Sequence, residues 1–133
     1  MIDKDKKLIL LIDDDKFLVD MYSMKFVQQG FNVQTCLSVG DALELLRGGL
    51  LPDAVVFDIT MPEHDGFSLL KSLAEEHLAE KAVKIALTNQ SSDEEKTKAK
   101  EMGAADYIVK ASMIPSEVVN MVEKIIDNKK KSY

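Results

Sequence analysis

Among the residues scarce in this 133-residue sequence are cysteine (one), histidine (two) and tryptophan (none), and the first two scarcities remove classes of function. A lone thiol, Cys36, allows no internal disulfide and offers no metal-ligand cluster; the expected place for it is small and at least half-buried. His64 and His77 stand apart in loop or helix-end positions, where an isolated histidine is ordinarily just exposed. No apolar run approaches the roughly 20 residues that a membrane span needs. The charged opening Met1-Ile2-Asp3-Lys4-Asp5-Lys6-Lys7 leads into a short apolar run without a small-residue cleavage site, which argues against a secretory signal. An excess of positive charge is missing too. With a net charge of -6, the chain lacks the basic face that direct nucleic-acid binding normally requires. These absences favour a cytoplasmic protein that meets neither membrane nor nucleic acid directly.

What is present suits one globular domain. Hydrophobic residues make up 46% and charged residues 30%, and the length is enough for a single core. Leu8 to Ile12 is a continuous apolar run stopped by Asp13-Asp14-Asp15; Lys16 to Gln29 then carries Leu18, Met21, Tyr22 and Phe26 near helical spacing, closed by Gly30. Phe31 to Thr35 reads as a second strand, and Ser38-Val39-Gly40-Asp41 has capping-box spacing ahead of a helix that ends at Gly48-Gly49. Pro52-Asp53 turns the chain into Val55-Val56-Phe57-Asp58, a buried-looking strand that delivers one carboxylate into the breaker-rich loop ending at Gly66. A third helix begins near Gly66, and Val83 to Leu87 is a fourth strand. The next helix, about Asp93 to Met102, is nearly all charge and has little beyond Ala99 and Met102 to pack, so it is expected as a solvated helix that shifts at low cost. Tyr107 to Val109 is a short fifth strand, and Pro115 suits the first turn of a last helix ending in lysines.

Alternation of this kind predicts a mainly parallel sheet covered on both faces, with ligands beyond the carboxyl ends of its strands. At those ends stand Asp13 and Asp14, Asp58, Thr88 and Lys110. Each has an ordinary explanation alone: a helix cap for the acids, a plain strand residue for Thr88, a solvated charge for Lys110. Jointly they are chemically coherent. Clustered carboxylates repel unless a cation sits among them, and an all-oxygen site suits Mg²⁺. A hydroxyl and an ammonium opposite can bind phosphoryl oxygens, which would let Asp58 act as the nucleophile of phosphoryl transfer.

Four segments, in order, resemble the receiver domain of two-component response regulators: Leu11-Ile12-Asp13-Asp14-Asp15; Phe57-Asp58-Ile59-Thr60-Met61-Pro62 with Asp65-Gly66; Ala86-Leu87-Thr88-Asn89; and Gly103-Ala104-Ala105-Asp106-Tyr107-Ile108-Val109-Lys110. The resemblance spans essentially the whole chain. It implies a single receiver domain over residues 1–133 with no effector domain, of the chemotaxis-regulator kind. The implied fold is a flavodoxin-like (βα)5 sandwich with strand order 2-1-3-4-5. It further implies Asp58 as phosphoacceptor from a sensor histidine kinase or histidine phosphotransfer protein, and Mg²⁺ on Asp13, Asp14, Asp58 and the Thr60 backbone carbonyl, Asp13 largely through water. Thr88 and Lys110 would hold the acyl phosphate, and Thr88 with Tyr107 would form the switch, read by a downstream protein on the face built from helix four, strand five and helix five. Thr60 and Gln90 occupy positions that tune the lifetime of the acyl phosphate. Such a protein is a signalling switch rather than a turnover enzyme, as a monomer or weak dimer.

Ala111 departs from the family, which usually has a proline after the lysine, commonly in a cis bond. A cis bond before any other residue costs roughly 2.5–4 kcal/mol, so the loop carrying Lys110 is either held cis by the site or runs trans. Two rival readings remain. A phosphatase resembling the haloacid dehalogenases would use Asp13 as nucleophile and Asp15 as acid/base, although its acid-rich motif after the lysine is missing. A receiver-like interaction module that is never phosphorylated would leave the same residues without chemistry.

Overall fold

The five strands expected from the sequence pair in parallel throughout and in the order β2-β1-β3-β4-β5. The computed structural model describes residues 5–89 and 92–131. Strands β1 (Leu8–Ile12), β2 (Asn32–Cys36), β3 (Ala54–Asp58), β4 (Val83–Thr88) and β5 (Asp106–Val109) alternate with helices α1 (Lys16–Gln28), α2 (Val39–Arg47), α3 (Gly66–Glu75), α4 (Asp93–Glu101) and α5 (Pro115–Lys131). A 3₁₀ turn, Lys110–Ser112, joins β5 to α5. This is the doubly wound, flavodoxin-like sandwich that the resemblance implied.

The alternation of side chains along each strand divides the interior in two. Leu10, Ile12, Val55, Phe57 and Ala86 meet α2, α3 and α4 through residues such as Leu43, Leu69 and Ala99. Ile9, Leu11, Val56, Ile85 and Leu87 meet α1 and α5 through Val19, Phe26, Val118 and Val122. Every residue of β3 is buried, since it lies at the centre of the sheet with helices on both sides. Among the described residues no helix is long and apolar enough to cross a membrane.

Local chemistry sets the boundaries. Asp15, Ser38, Asp65 and Ser92 each accept a backbone N–H of the first turn of the helix that follows, satisfying donors that have no partner within the helix. Strand β2 begins one residue later than expected because Phe31 belongs to the end of α1. With Gly30 at φ +100°, the Phe31 N–H reaches the Phe26 carbonyl (3.1 Å) and the Gly30 N–H that of Val27 (3.0 Å), a Schellman ending. The Phe31 ring then packs edge-on against Phe26, with centroids 5.8 Å apart. The inward face of α1 also differs from expectation: Val19 is buried, whereas Leu18 and Met21 are only partly so.

Helix α4 is as thinly packed as its composition implies, with Ala99 its buried residue. Two side-chain contacts supplement that small interface. Lys98 places its ammonium 4.2 Å from the Phe67 ring centroid on α3, and Glu95 accepts a hydrogen bond from the Tyr107 hydroxyl on β5 at 3.2 Å.

Candidate functional site

Strand register assembles the site. Ile12 pairs with Phe57, so the next residues, Asp13 and Asp58, emerge side by side. Asp58 pairs with Leu87, which places Thr88 one step beyond it, and Thr88 pairs with Val109, which places Lys110 one step beyond that. All four stand at the carboxyl edge around β1 and β3, where strand order reverses. Asp13, Asp58, Thr88 and Lys110 are the four buried polar or charged residues among those described.

The three neighbouring aspartates of the first loop have three different fates. Asp13 is buried, with Oδ1 accepting the Asp15 N–H at 3.0 Å and Oδ2 accepting from Lys110 Nζ at 3.1 Å. Asp14 is exposed yet places a carboxylate oxygen within 4.8 Å of those of Asp13 and Asp58. Asp15 caps α1, accepting from the N–H groups of Phe17 (3.0 Å) and Leu18 (3.3 Å), so the acid/base role in the phosphatase reading falls on a carboxylate oxygen already engaged in a cap.

Asp58 accepts the Thr60 N–H on Oδ1 at 3.1 Å and Lys110 Nζ on Oδ2 at 3.3 Å. The loop after it is drawn tight. Gly66 donates its N–H to the Ile59 carbonyl at 2.8 Å, and a Cβ at position 66 would lie 2.8 Å from Phe57 Cδ2 and 2.9 Å from both the Asp58 carbonyl and Ile59 Cα. Only glycine permits that approach. Glu63, in the same loop, takes φ +66°, an uncommon backbone for a residue with a side chain.

Electrostatics within the cluster are unbalanced. Burial holds the Asp58 carboxyl above its ordinary value, with Asp13 adding to the rise and Lys110 and the Thr60 N–H opposing it. For Lys110, burial acts to lower the ammonium's pKa, but the charges and hydrogen bonds of Asp13 and Asp58 outweigh it and hold it above its ordinary value. Three carboxylates share one ammonium. Oxygen-only donors, net negative charge and a solvent-facing member in Asp14 fit a small hard dication such as Mg²⁺.

Tyr107 is buried rather than turned outward, its hydroxyl donating to Glu95 at 3.2 Å. Burial raises the pKa of the Tyr107 hydroxyl; Thr88 and the Ser92 N–H oppose that rise, and Glu95 adds to it. Glu95 is the residue that the sequence left inside a run of charge. Its signal was the spacing Ser92-x-x-Glu95, a capping box, whose Ser92 Oγ accepts the Glu95 N–H at 3.3 Å. Lys110 opens its 3₁₀ turn with a trans peptide to Ala111; all peptide bonds among the described residues are trans. Thr60 is exposed, and Gln90 lies outside the described residues. His64 and His77 are exposed, the latter paired with Glu80 at 3.2 Å, and Cys36 is buried at the end of β2.

Residues 9–123 match the family described as the response regulator receiver domain. The chain belongs to that family. The receiver domain is 31% identical over 125 residues to the response regulator SaeR of Staphylococcus aureus (strain USA300), an alignment that covers 94% of this chain and 53% of SaeR. The chain thus spans about half the length of the curated relatives it matches. A solved putative response regulator from Chloroflexus aurantiacus J-10-fl superposes on the receiver domain with TM-score 0.81 at 30% identity, covering 92% of this chain and 98% of that one. A CheY-like receiver domain protein from Methanospirillum hungatei JF-1 reaches TM-score 0.85, covering 96% and 99%; at 24% identity it speaks for the fold alone. Members of this family act as signalling switches rather than as conventional enzymes, and interact with histidine kinases or phosphotransfer proteins.

Proposed function

We propose that this receiver domain is switched by phosphorylation of Asp58, the phosphoryl group coming from the phosphohistidine of a sensor histidine kinase or histidine phosphotransfer protein. The observation that supports it is the convergence of Asp13, Asp14, Asp58 and Lys110, with Thr88 one residue beyond, at the edge where the strand order reverses. In the transfer, an Asp58 carboxylate oxygen forms the new bond to phosphorus as the phosphorus–nitrogen bond breaks and the imidazole leaves. The Thr60 N–H orients the carboxylate through Oδ1. Lys110 then exchanges its hold on Oδ2 for the incoming phosphoryl oxygens, and Thr88 donates its hydroxyl to the same group. Asp13, Asp14, Asp58 and the Thr60 backbone carbonyl would hold Mg²⁺, which supplies neutralising charge to the phosphoryl group. Water later hydrolyses the acyl phosphate slowly, at a rate tuned from Thr60 and Gln90.

The thinly packed α4, together with β5 and α5, is the face on which a downstream protein reads the state, Thr88 and Tyr107 carrying the change outward. Output by protein binding, or by passing the phosphoryl group on in a relay, suits a cytoplasmic receiver unit that is a monomer or weak dimer.

The test is intact-protein mass after incubation with acetyl phosphate, with and without Mg²⁺, on wild type, Asp58→Ala and Asp13→Ala. A Mg²⁺-dependent adduct lost in Asp58→Ala is the expected result. A label that survives there and vanishes only in Asp13→Ala points to the phosphatase reading, and a wild type that no acyl-phosphate or phosphohistidine donor labels overturns the proposal in favour of an interaction module.

A further inference from the structure

Strand β4 carries a lysine where its layer calls for an apolar side chain. Side chains alternate along a strand, so Lys84 shares the α3–α4 side of the sheet with Ala86, whereas Val83, Ile85 and Leu87 face α1 and α5. Its partner across the strand pairing, Val55, is wholly buried in that same layer. Beside Lys84 the layer is left unfilled. A cavity of about 250 Å³ opens between α3, the loop before β4 and the end of α4, with Leu70, Leu73, Leu78 and Met102 as apolar walls and Lys84 and Glu80 as charged members.

The two charges are not matched to each other. Glu80 is largely exposed and lies 3.2 Å from His77, whereas Lys84 is half-buried. Among the described residues neither a hydrogen bond nor an ion pair holds the Lys84 ammonium, and no fully buried side-chain nitrogen lacks a partner, so the ammonium meets solvent at the cavity. Burial and the charge of Lys129 hold it below its ordinary pKa, with Glu80 opposing them, the mark of a cation short of negative charge.

We propose that this cavity binds a small monocarboxylate with an aromatic or short alkyl body, its carboxylate on the Lys84 ammonium and its body against Leu70, Leu73, Leu78 and Met102. Volume sets the size of the occupant. At about 250 Å³ the space exceeds the roughly 150 Å³ void that takes up benzene and falls below the roughly 300 Å³ at which drug-sized sites begin, so one ring with a short acidic arm fits. Lys84 sets its charge. The site lies four residues, about 13 Å, back along β4 from Thr88, so it is separate from the acid cluster and does not depend on phosphorylation of Asp58. Because Met102 is the C-cap of α4, an occupant would also brace a helix whose buried residue is Ala99.

The experiment titrates 3-phenylpropionate into the unphosphorylated, ¹⁵N-labelled chain without Mg²⁺ and follows backbone amide shifts, with 3-phenylpropan-1-ol as the uncharged counterpart. Saturable shifts at Leu70, Leu73, Lys84 and Met102, with a Kd of about 1 mM or tighter, are expected. The alcohol should bind wild type about tenfold to a hundredfold more weakly, and Lys84→Met should weaken the acid by a similar factor, the worth of a hydrogen bond to a charged group. Methionine suits this apolar layer, and urea unfolding checks that the variant folds. Ala74→Phe, at an exposed position on the cavity's edge, keeps Lys84 and should weaken the acid and the alcohol alike by more than tenfold. Equal binding of acid and alcohol, or a Lys84→Met variant that binds the acid like wild type, overturns the proposal. So do shifts centred on Asp13 and Lys110, which would mean that the anion has gone to the other half of the molecule's buried charge, and the absence of any saturable binding.

Discussion

Replacing the proposed phosphoacceptor should make the fold more stable. In the absence of a dication, Asp58 is surrounded by more repulsion and desolvation than attraction. Its carboxylate and that of Asp13 have oxygens within 4.8 Å, which at an effective dielectric near 20 is a repulsion of at least about 3 kcal/mol. Asp14 is exposed and adds less. Lys110, at 3.3 Å, offsets about 5 kcal/mol, but burial of the carboxylate costs several more. The balance is unfavourable, as the elevated pKa of Asp58 records. Asp58→Asn removes the charge and keeps an oxygen for the Thr60 N–H. At neutral pH in EDTA it should gain about 1–2 kcal/mol in urea unfolding, or roughly 3–6 °C in Tm for a chain of this length. Mg²⁺ should stabilise wild type by more than it stabilises the variant, since a dication held by the cluster would bind the folded state alone. The pH dependence has a fixed sign. A carboxyl whose folded pKa lies above its ordinary 3.8 binds more protons folded than unfolded, so it favours the fold most at low pH, and its contribution declines as the pH rises from about 3.8 through the elevated value. Asp58→Asn should abolish that decline. A variant less stable than wild type in EDTA at neutral pH would refute the reasoning.

Gly66→Ala places a methyl group against Phe57, the Asp58 carbonyl and Ile59, and should cost about 1–3 kcal/mol in thermal unfolding while slowing any labelling of Asp58. An unchanged Tm would mean that the loop can move aside. The Cys36 thiol, pushed up to about 11 by burial and by Asp41, should react with a maleimide at least about a hundredfold more slowly in the folded protein than in urea. Comparable rates in the two states would place it at the surface. Arg47→Ala breaks a two-pronged contact with Glu76, both bonds 2.7 Å, but the pair is largely exposed; the loss in urea unfolding should stay below about 1 kcal/mol.

The residues of the candidate site were legible because their positions follow from strand ends, and strand ends follow from where apolar runs stop. Asp13, Asp58, Thr88 and Lys110 all stand where that reading put them. Less could be read where tertiary contacts choose among local options. Nothing local distinguishes Asp13, which the sheet buries, from Asp14, which faces solvent, or from Asp15, which caps a helix. Phe31 is as good a strand former as any residue in β2, yet packing on Phe26 and the left-handed Gly30 draw it into the helix ending. On α1, spacing alone picked out Leu18 and Met21, which are only partly buried, and passed over Val19, which the core takes in. Glu95 was hidden because its partner, Tyr107, lies 12 residues away on another element. A charged helix gives no local sign of which charge points inward.

Lys110 reaches Asp13 across 97 residues of sequence and Asp58 across 52. The charged cluster therefore has no existence in a fragment that lacks β1, β3 or the turn after β5: it forms when all three have docked, and the last of them is made after the other two. Before that point the acids are separate, solvated side chains with no more claim on a dication or a phosphoryl donor than any other surface carboxylate. If Asp58 receives a phosphoryl group as proposed, competence to receive it doubles as proof of assembly, and half-made or misfolded copies would stay silent.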